Sequence, residues 1–268
     1  MTLHAVSLAG RAARKPGQRN LFCQWQISGE EETVPEEQMQ EVFKMLKCPE
    51  GGGVGRYVKD LTLNQQNGLK LPTILGLVEN MKNMERLELS RCTVWTDGVL
   101  CEQQSDKLRV LDLRSITVPA GEDTVMVEEL LKLSEGWKSV SLKDICFLED
   151  RELILSGLKT EALTISYSAG LQDGDNRLHI AGCDNMKLSY LAVEYAKTED
   201  VGSLAALVKG SLTTLKTISL GCGLTSSELS NVAGMQMIII LWCRTDGMLQ
   251  GNCSSGELSS MCYEAATR

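Results

Sequence analysis

The segment Met84-Glu-Arg-Leu-Glu-Leu-Ser-Arg-Cys-Thr-Val94 is the basis for predicting the fold, because its spacing of apolar residues recurs further along the chain. Its apolar residues occupy relative positions 1, 4, 6, 9 and 11. The segment 108–118, which begins Leu-Arg-Val-Leu-Asp-Leu, repeats these positions, and so does the segment 137–147, which begins Trp-Lys-Ser-Val-Ser-Leu. Agreement at this many positions makes an internal repeat the first feature to be explained.

Weaker copies extend the repeat over most of the chain, and the fourth position serves as a marker for each copy. The markers lie 20 to 29 residues apart, at Leu61, Leu87, Leu111, Val140, Leu163, Leu191, Ile218 and Ile238. This is the pattern L-x-x-L-x-L-x-x-(N/C)-x-L of leucine-rich repeats, whose period is about 20 to 29 residues. Positions 4 and 6 alternate like a short strand that buries one face, and the ninth position then turns the chain inward.

The segments between these strands have helical spacing of apolar residues, and Pro72 suits a first helical turn. We predict helices over residues 71–81, 123–133, 148–158 and 201–208. Stacked units of strand and helix bury a continuous core that no single unit could bury alone. The sequence therefore predicts an α/β fold: a leucine-rich repeat solenoid, shaped as a curved horseshoe with a concave parallel β-sheet and convex helices.

The repeat also suggests the domain organisation. Residues 1–38 are predicted to be an irregular N-terminal segment, in which residues 2–8 could form a partial repeat. Residues 39–268 are predicted to be a leucine-rich repeat domain of about eight repeats with a C-terminal capping segment. The sequence leaves open whether the chain is a fragment of a larger receptor, and what residues 9–35 do.

Composition excludes several partners. The chain of 268 residues carries 27 Lys and Arg against 35 Asp and Glu, a net charge of −8, whereas nucleic-acid binding needs clustered cations. There is no stretch of 18 apolar residues that could span a bilayer. Ten cysteines without a C-x-x-C motif, in a chain long enough to form a core, predict reduced thiols. We therefore expect a cytoplasmic protein with neither a nucleic-acid nor a membrane partner.

Little in the sequence suggests catalysis. The two histidines, His4 and His179, are far apart, and no nucleophile and base form a local motif. The glycine loop at residues 51–55 is followed by Arg56 and Tyr57 rather than the Lys and Ser or Thr of a phosphate-binding loop. Cys92 and Cys243, at the ninth repeat position, are predicted to be small buried residues. We expect no enzyme, no cofactor and no metal site.

What remains is a surface, because residues between the core positions of each strand should point to the concave side. These residues are charged in the early repeats and become aromatic and apolar in the late ones. Tyr and Trp are favoured anchors of protein interfaces. We predict a protein ligand on the concave face, bound by Arg86, Arg91, Arg114, Tyr167, Tyr190, Glu194, Tyr195 and Trp242. The apolar run at residues 235–242 could be exposed there or covered by the C-terminal tail.

Three phrases carry a resemblance to a known family, at residues 81–92, 108–113 and 215–223. They resemble the ribonuclease-inhibitor-like leucine-rich repeats of animal NOD-like receptors. The resemblance spans roughly residues 39–250 and implies an intracellular sensor of innate immunity. In such a sensor the repeats recognise a ligand or restrain a nucleotide-binding domain. The chain departs from that family because it contains no phosphate-binding loop and no death-fold segment.

Two alternatives share the same repeat class. Substrate receptors of ubiquitin ligases also use cysteine at the ninth position, but they need an F-box module that residues 1–50 do not convincingly supply. A ribonuclease-inhibitor-like protein inhibitor would suit the acidic charge and the thiols, but its repeats alternate regularly near 28 and 29 residues. The sequence does not identify the ligand or the oligomeric state.

Overall fold

The computed structural model describes fourteen parts of the chain, and all structural statements below refer to them. They are residues 24–28, 42, 44, 54–65, 68–96, 104–118, 125–147, 152–155, 157–166, 179–181, 186–196, 201–211, 213–222 and 238–241. Predictions for residues 2–8 and for the C-terminal capping segment lie outside them.

The described strands, in chain order, are β1 (Gln24–Ser28), β2 (Asp60–Asn64), β3 (Leu69–Lys70), β4 (Arg86–Ser90), β5 (Val94–Trp95), β6 (Val110–Val118), β7 (Trp137–Phe147), β8 (Glu152–Ile154), β9 (Thr160–Ser166), β10 (His179–Ala181), β11 (Tyr190–Ala196), β12 (Thr217–Cys222) and β13 (Ile238–Leu241). The described helices are α1 (Leu71–Asn80), α2 (Val125–Lys132) and α3 (Val201–Ser211), preceded by a short 3-10 helix, Val54–Tyr57.

Nine strands form one parallel sheet in the order β1-β2-β4-β6-β7-β9-β11-β12-β13. Their order across the sheet is their order along the chain, so each strand lies beside the previous and the next one. Parallel neighbours need a crossover between them, and α1, α2 and α3 lie in three of these crossovers. The fold is α/β, with a large parallel sheet and few helices.

The register of the sheet aligns seven predicted markers in one buried row. Hydrogen-bonded neighbours pair residue by residue along Leu61, Leu87, Leu111, Val140, Leu163, Leu191 and Ile218. A second buried row lies two residues further on, at Leu63, Leu89, Leu113, Leu142, Ile165 and Val193. The predicted strands and their alternation are therefore confirmed over β2 to β12, where one face of the sheet covers the core.

Backbone hydrogen bonds before the strands repeat in the same way. The Lys59 carbonyl accepts hydrogen bonds from the N–H groups of both Glu85 and Arg86, at 2.7 and 2.9 Å. The carbonyl groups of Glu85, Arg109 and Ser189, which precede β4, β6 and β11, each accept two hydrogen bonds from consecutive N–H groups in the same way. Successive strands are thus fixed to one another before the sheet register begins.

Four residues share a left-handed backbone conformation: two directly follow β2 and β4, and two lie within β6 and β7. Gln65, Arg91, Ser115 and Asp144 have φ between 51° and 54°, and each lies four residues after a marker of the buried row. This conformation reverses the chain locally, and the residues that follow it at the predicted ninth position, Cys92, Ile116 and Ile145, are buried as predicted. The Cys92 thiol donates to the carbonyl oxygens of Ser90 and Leu63 at 3.2 and 3.5 Å, whereas Cys146 is only half-buried.

The helices agree with the sequence in three of four cases. α1 has Pro72 in its first turn and buries Leu71, Ile74, Leu77 and Val78 against the core. The helix predicted over residues 148–158 is wrong: Glu152–Ile154 is strand β8, which pairs with β10, while β3 pairs with β5. Leu153 and Leu155 are buried and Ile154 between them is 49% exposed, so this short apolar run follows the period of a strand.

Two further strands differ from the predictions. β1 pairs with β2, although it lies in the segment that was predicted to be irregular. Its sequence, Gln-Trp-Gln-Ile-Ser, contains one strongly buried apolar residue, Ile27, and therefore gives only a weak strand pattern. In β13 the residue aligned with Ile218 is Ile239, not the predicted marker Ile238. Cys243, Met237 and Trp242 lie outside the described residues.

Candidate protein-binding surface

The sheet has a second face, opposite the core, which we call the open face. Its residues alternate with the two buried rows and are mostly half-buried or exposed. On β2, β4, β6 and β7 they are Asp60, Thr62, Asn64, Arg86, Glu88, Ser90, Val110, Asp112, Arg114, Ser139, Ser141 and Lys143. On β9, β11 and β12 they are Ala162, Thr164, Ser166, Tyr190, Ala192, Glu194, Thr217 and Ser219.

The first part of the open face carries an ion-paired patch, formed by Arg86, Glu88, Asp112 and Arg114. The register of β4 and β6 sets Glu88 directly beside Asp112. Arg114 donates from Nε to Oδ1 of Asp112 at 2.9 Å and from Nη2 to Oδ2 at 2.6 Å. The Nη2 group of Arg86 lies 3.0 Å from Oδ2 of Asp112 and 3.1 Å from Oε2 of Glu88.

Asp112 is the centre of this patch. Only 5% of it is exposed, although it lies on the open face, because two guanidinium groups cover its carboxylate. The hydrogen bonds that Arg114 donates to Asp112 raise the pKa of Arg114 above its ordinary value, although partial burial acts in the opposite direction. Arg114 therefore stays charged at every physiological pH. Paired contacts of this planar kind fix the orientation of an arginine as well as its charge.

The second part of the open face carries an uncharged strip on β7, β9, β11 and β12. Its members are Ser139, Ser141, Ala162, Thr164, Tyr190, Ala192, Thr217 and Ser219. All of them except Tyr190 are small, and none is charged. Tyr190 is 38% exposed and lies in register with Ala162 on one side and Thr217 on the other. Tyr190 is therefore a single aromatic side chain that projects from among the small side chains of this strip.

The structure brings together some of the predicted binding residues. Arg86 and Arg114 meet at Asp112, Arg91 is exposed at the end of β4, and Tyr190 and Glu194 share strand β11. Tyr195 lies where β11 shifts register between Glu194 and Ala196 relative to β12. Tyr167 and Trp242 lie outside the described residues.

Asp112 is a site residue that the sequence interpretation did not select. The available signal was the short phrase Asp112-Leu-Arg114, since residues two apart on a strand share a face. The contact with Arg86, 26 residues away, could not be read from spacing alone.

One cleft of about 590 Å3 lies elsewhere, between α2 and the segment that includes β8. Its lining includes Leu131, Leu155 and Leu158, and Glu128 accepts a hydrogen bond from the Ile154 N–H at 3.3 Å. Glu128, Glu135, Lys132 and Lys159 also line it, so the cleft has balanced charges. Nothing in this lining selects a particular ligand.

Other kinds of site find no support in the described part of the chain. It holds no group of three or more His, Cys, Asp or Glu side chains arranged for a metal ion. Its helices include none of sufficient length and apolar character to traverse a bilayer. Comparison with protein-family models, with curated proteins and with solved structures finds no match. The open face is therefore interpreted from its own geometry.

Proposed function

We propose that the chain is a non-catalytic, cytoplasmic leucine-rich repeat module that binds a protein ligand on the open face of its sheet. The repeat class is supported by three recurring features: the aligned buried rows, the doubly bonded carbonyl that precedes β2, β4, β6 and β11, and the left-handed residue that lies four residues after four of the markers. The finer assignment, to the repeats of a NOD-like receptor of innate immunity or a relative, rests on the sequence resemblance.

Tyr190 is the observation that carries the binding proposal. Its ring is large and is 38% exposed on a sheet of small residues. A partner that covers the ring removes apolar surface from water, and the hydroxyl group can form a hydrogen bond with that partner. The surrounding Ser, Thr and Ala side chains let a partner backbone approach closely and carry no charge that must be desolvated. Exposed aromatic residues in such settings are frequent binding hot spots.

The experiment selects random displayed peptides on the intact protein and measures their affinity for variants. Tyr190→Ala should weaken the recovered peptides about 30-fold, the loss typical of a hot-spot aromatic residue. Trp95→Ala is the matched control, because Trp95 is also 38% exposed but lies on β5, outside the large sheet. It should change affinity less than about twofold. Circular dichroism of both variants checks that the fold is retained.

Two outcomes would contradict the proposal. If the selection yields only peptides that bind Tyr190→Ala as well as the parent protein, or yields none, the open face is not the binding surface. If Trp95→Ala weakens the peptides as much as Tyr190→Ala does, the ligand binds at β5 instead.

A further inference from the structure

We infer that the ligand of the open face carries an acidic segment, which binds where β4 ends and midway along β6 and β7. This inference rests on the proposed function and names the chemistry of its partner. The residues concerned are Arg91, Arg114 and Lys143, which we call the cationic row.

The charges on these strands are separated along the strand direction. Arg114 and Lys143 pair in register, and Arg91 follows Ser90, the partner of Arg114 on β4. The acids Glu88 and Asp112 lie two residues earlier on the same strands. The open-face position just before the left-handed residue on these three strands therefore presents two cations and a serine, with Arg91 just beyond them.

Three other acids belong to the same sheet, and their negative charges have to be compared with the positive charges of the cationic row. Asp144 follows Lys143, in a left-handed turn, and Glu194 lies two strands away on β11. Asp60, at the opposite end of β2, accepts a hydrogen bond from Gln24 at 3.3 Å. With their ion-pair partners counted, four cations (Arg86, Arg91, Arg114 and Lys143) face three acids (Glu88, Asp112 and Asp144), which leaves one net positive charge here in a chain whose net charge is −8.

The cations differ in how many of their donors are used. A guanidinium has five N–H donors, and Arg114 uses Nε and one Nη2 donor on Asp112, so its Nη1 group has no partner among the described residues. Arg91 is exposed and Lys143 half-buried, and neither side chain forms an ion pair within those same segments. Asp112 thus holds Arg114 in place while donors remain for an incoming carboxylate.

Sheet geometry relates the cationic row to Tyr190. Tyr190 pairs through Ala162 with Ser139, and Lys143 lies four residues further along β7. With strands about 4.8 Å apart and residues about 3.3 Å apart, Lys143 and Tyr190 are separated by about 16 Å. An extended peptide covers that distance with about five residues. The expected ligand has an apolar anchor for Tyr190 and acidic residues about five positions away.

The test uses the peptides selected on the intact protein. We expect them to be enriched in Asp and Glu at that spacing. The double variant Arg91→Ala, Lys143→Ala should weaken them about tenfold, and the loss should shrink as salt screens exposed charges. The matched control is Lys82→Ala, Lys209→Ala, which removes two exposed lysines from the turn after α1 and from α3. It should leave affinity unchanged within about twofold.

The results separate this inference from the proposed function. Peptides that depend on Tyr190 but lack acidic residues, or that bind the Arg91→Ala, Lys143→Ala variant normally, would overturn the acidic segment and leave the binding surface intact. An equal loss in the control variant would show a general charge effect and would also overturn the inference. So would competition by inorganic phosphate or single-stranded DNA as effective as that by an oligoglutamate peptide, because the site would then bind any anion.

Discussion

The ion-paired patch and the uncharged strip occupy one face of the sheet, yet their side chains interact with one another in different ways. Glu88 and Asp112 are in register with Ser141, Thr164 and Ala192, so the backbone pairing of the strands is the same in both regions. In the patch, charged side chains satisfy one another. In the strip, the side chains are small and uncharged, and Tyr190 projects beyond them. The buried rows are apolar beneath both, so the chemistry of the open face varies independently of the core.

This difference assigns separate tasks to the two regions. Water is removed easily from small uncharged side chains, so the strip is where a partner gains affinity. Charges that are already paired add less affinity, but they set the orientation of a partner and exclude unsuitable ones. We therefore expect Tyr190 to dominate affinity and the cationic row to dominate salt dependence.

The largest expected effect tests whether both regions share one core. Leu87→Ala lies beneath the patch and Leu191→Ala beneath the strip, and both parent side chains are fully buried in the same row. Each substitution should lower the free energy of unfolding by about 3 kcal/mol, because each leaves a cavity. Urea denaturation measures both. A loss below about 1 kcal/mol for either variant would contradict a core continuous from β4 to β11.

The second effect concerns the patch alone. Asp112→Asn removes the charge that two guanidinium groups share and should lower the free energy of unfolding by about 2 kcal/mol. Thr164→Ala is the comparison, because Thr164 occupies the same row in the strip and is half-exposed. It should cost less than about 0.5 kcal/mol. Equal losses in urea denaturation would mean that the ion pairs do not distinguish the two regions.

The smallest effect concerns the left-handed residues, which directly follow β2 and β4 and lie within β6 and β7. Ser115→Gly should stabilise the protein by about 0.5 kcal/mol, because φ of +51° costs glycine nothing. Ser139→Gly, the same change within β7, should destabilise it by about 0.5 to 1 kcal/mol. Thermal denaturation would show opposite shifts in Tm. Shifts of the same sign would argue that the turn at Ser115 is not left-handed in solution.

The buried side of the large sheet was predictable, and its exceptions have physical causes. Alternation of apolar residues identified the markers from Leu61 to Ile218, since that signal is local and strong. It failed at β13, where Ile238 to Leu241 are all apolar and alternation cannot fix a register. It failed again at β8, because a run of three residues fits a strand or a helix turn equally well.

The candidate site was predictable only in part. Face alternation placed Arg86, Arg114, Tyr190 and Glu194 on one surface, and the register agrees. It gave no indication that Arg86 and Arg114 both bind Asp112, so that some of their donors are already used within the chain. Nor could it show that Tyr190 lies in register with Ala162 and Thr217, which belong to neighbouring strands.

Residue spacing alone was enough to predict the strands from β2 to β12 that bury apolar residues and the composition of the opposite face. These follow from residue spacing, which needs no knowledge of distant parts. Contacts between different strands could be identified only from the folded structure: the contact of Arg86 with Asp112, the pairing of β1 with β2, and the register of β13. Strand pairing and the contact of Arg86 with Asp112 join groups 20 or more residues apart, and such contacts depend on how neighbouring strands align.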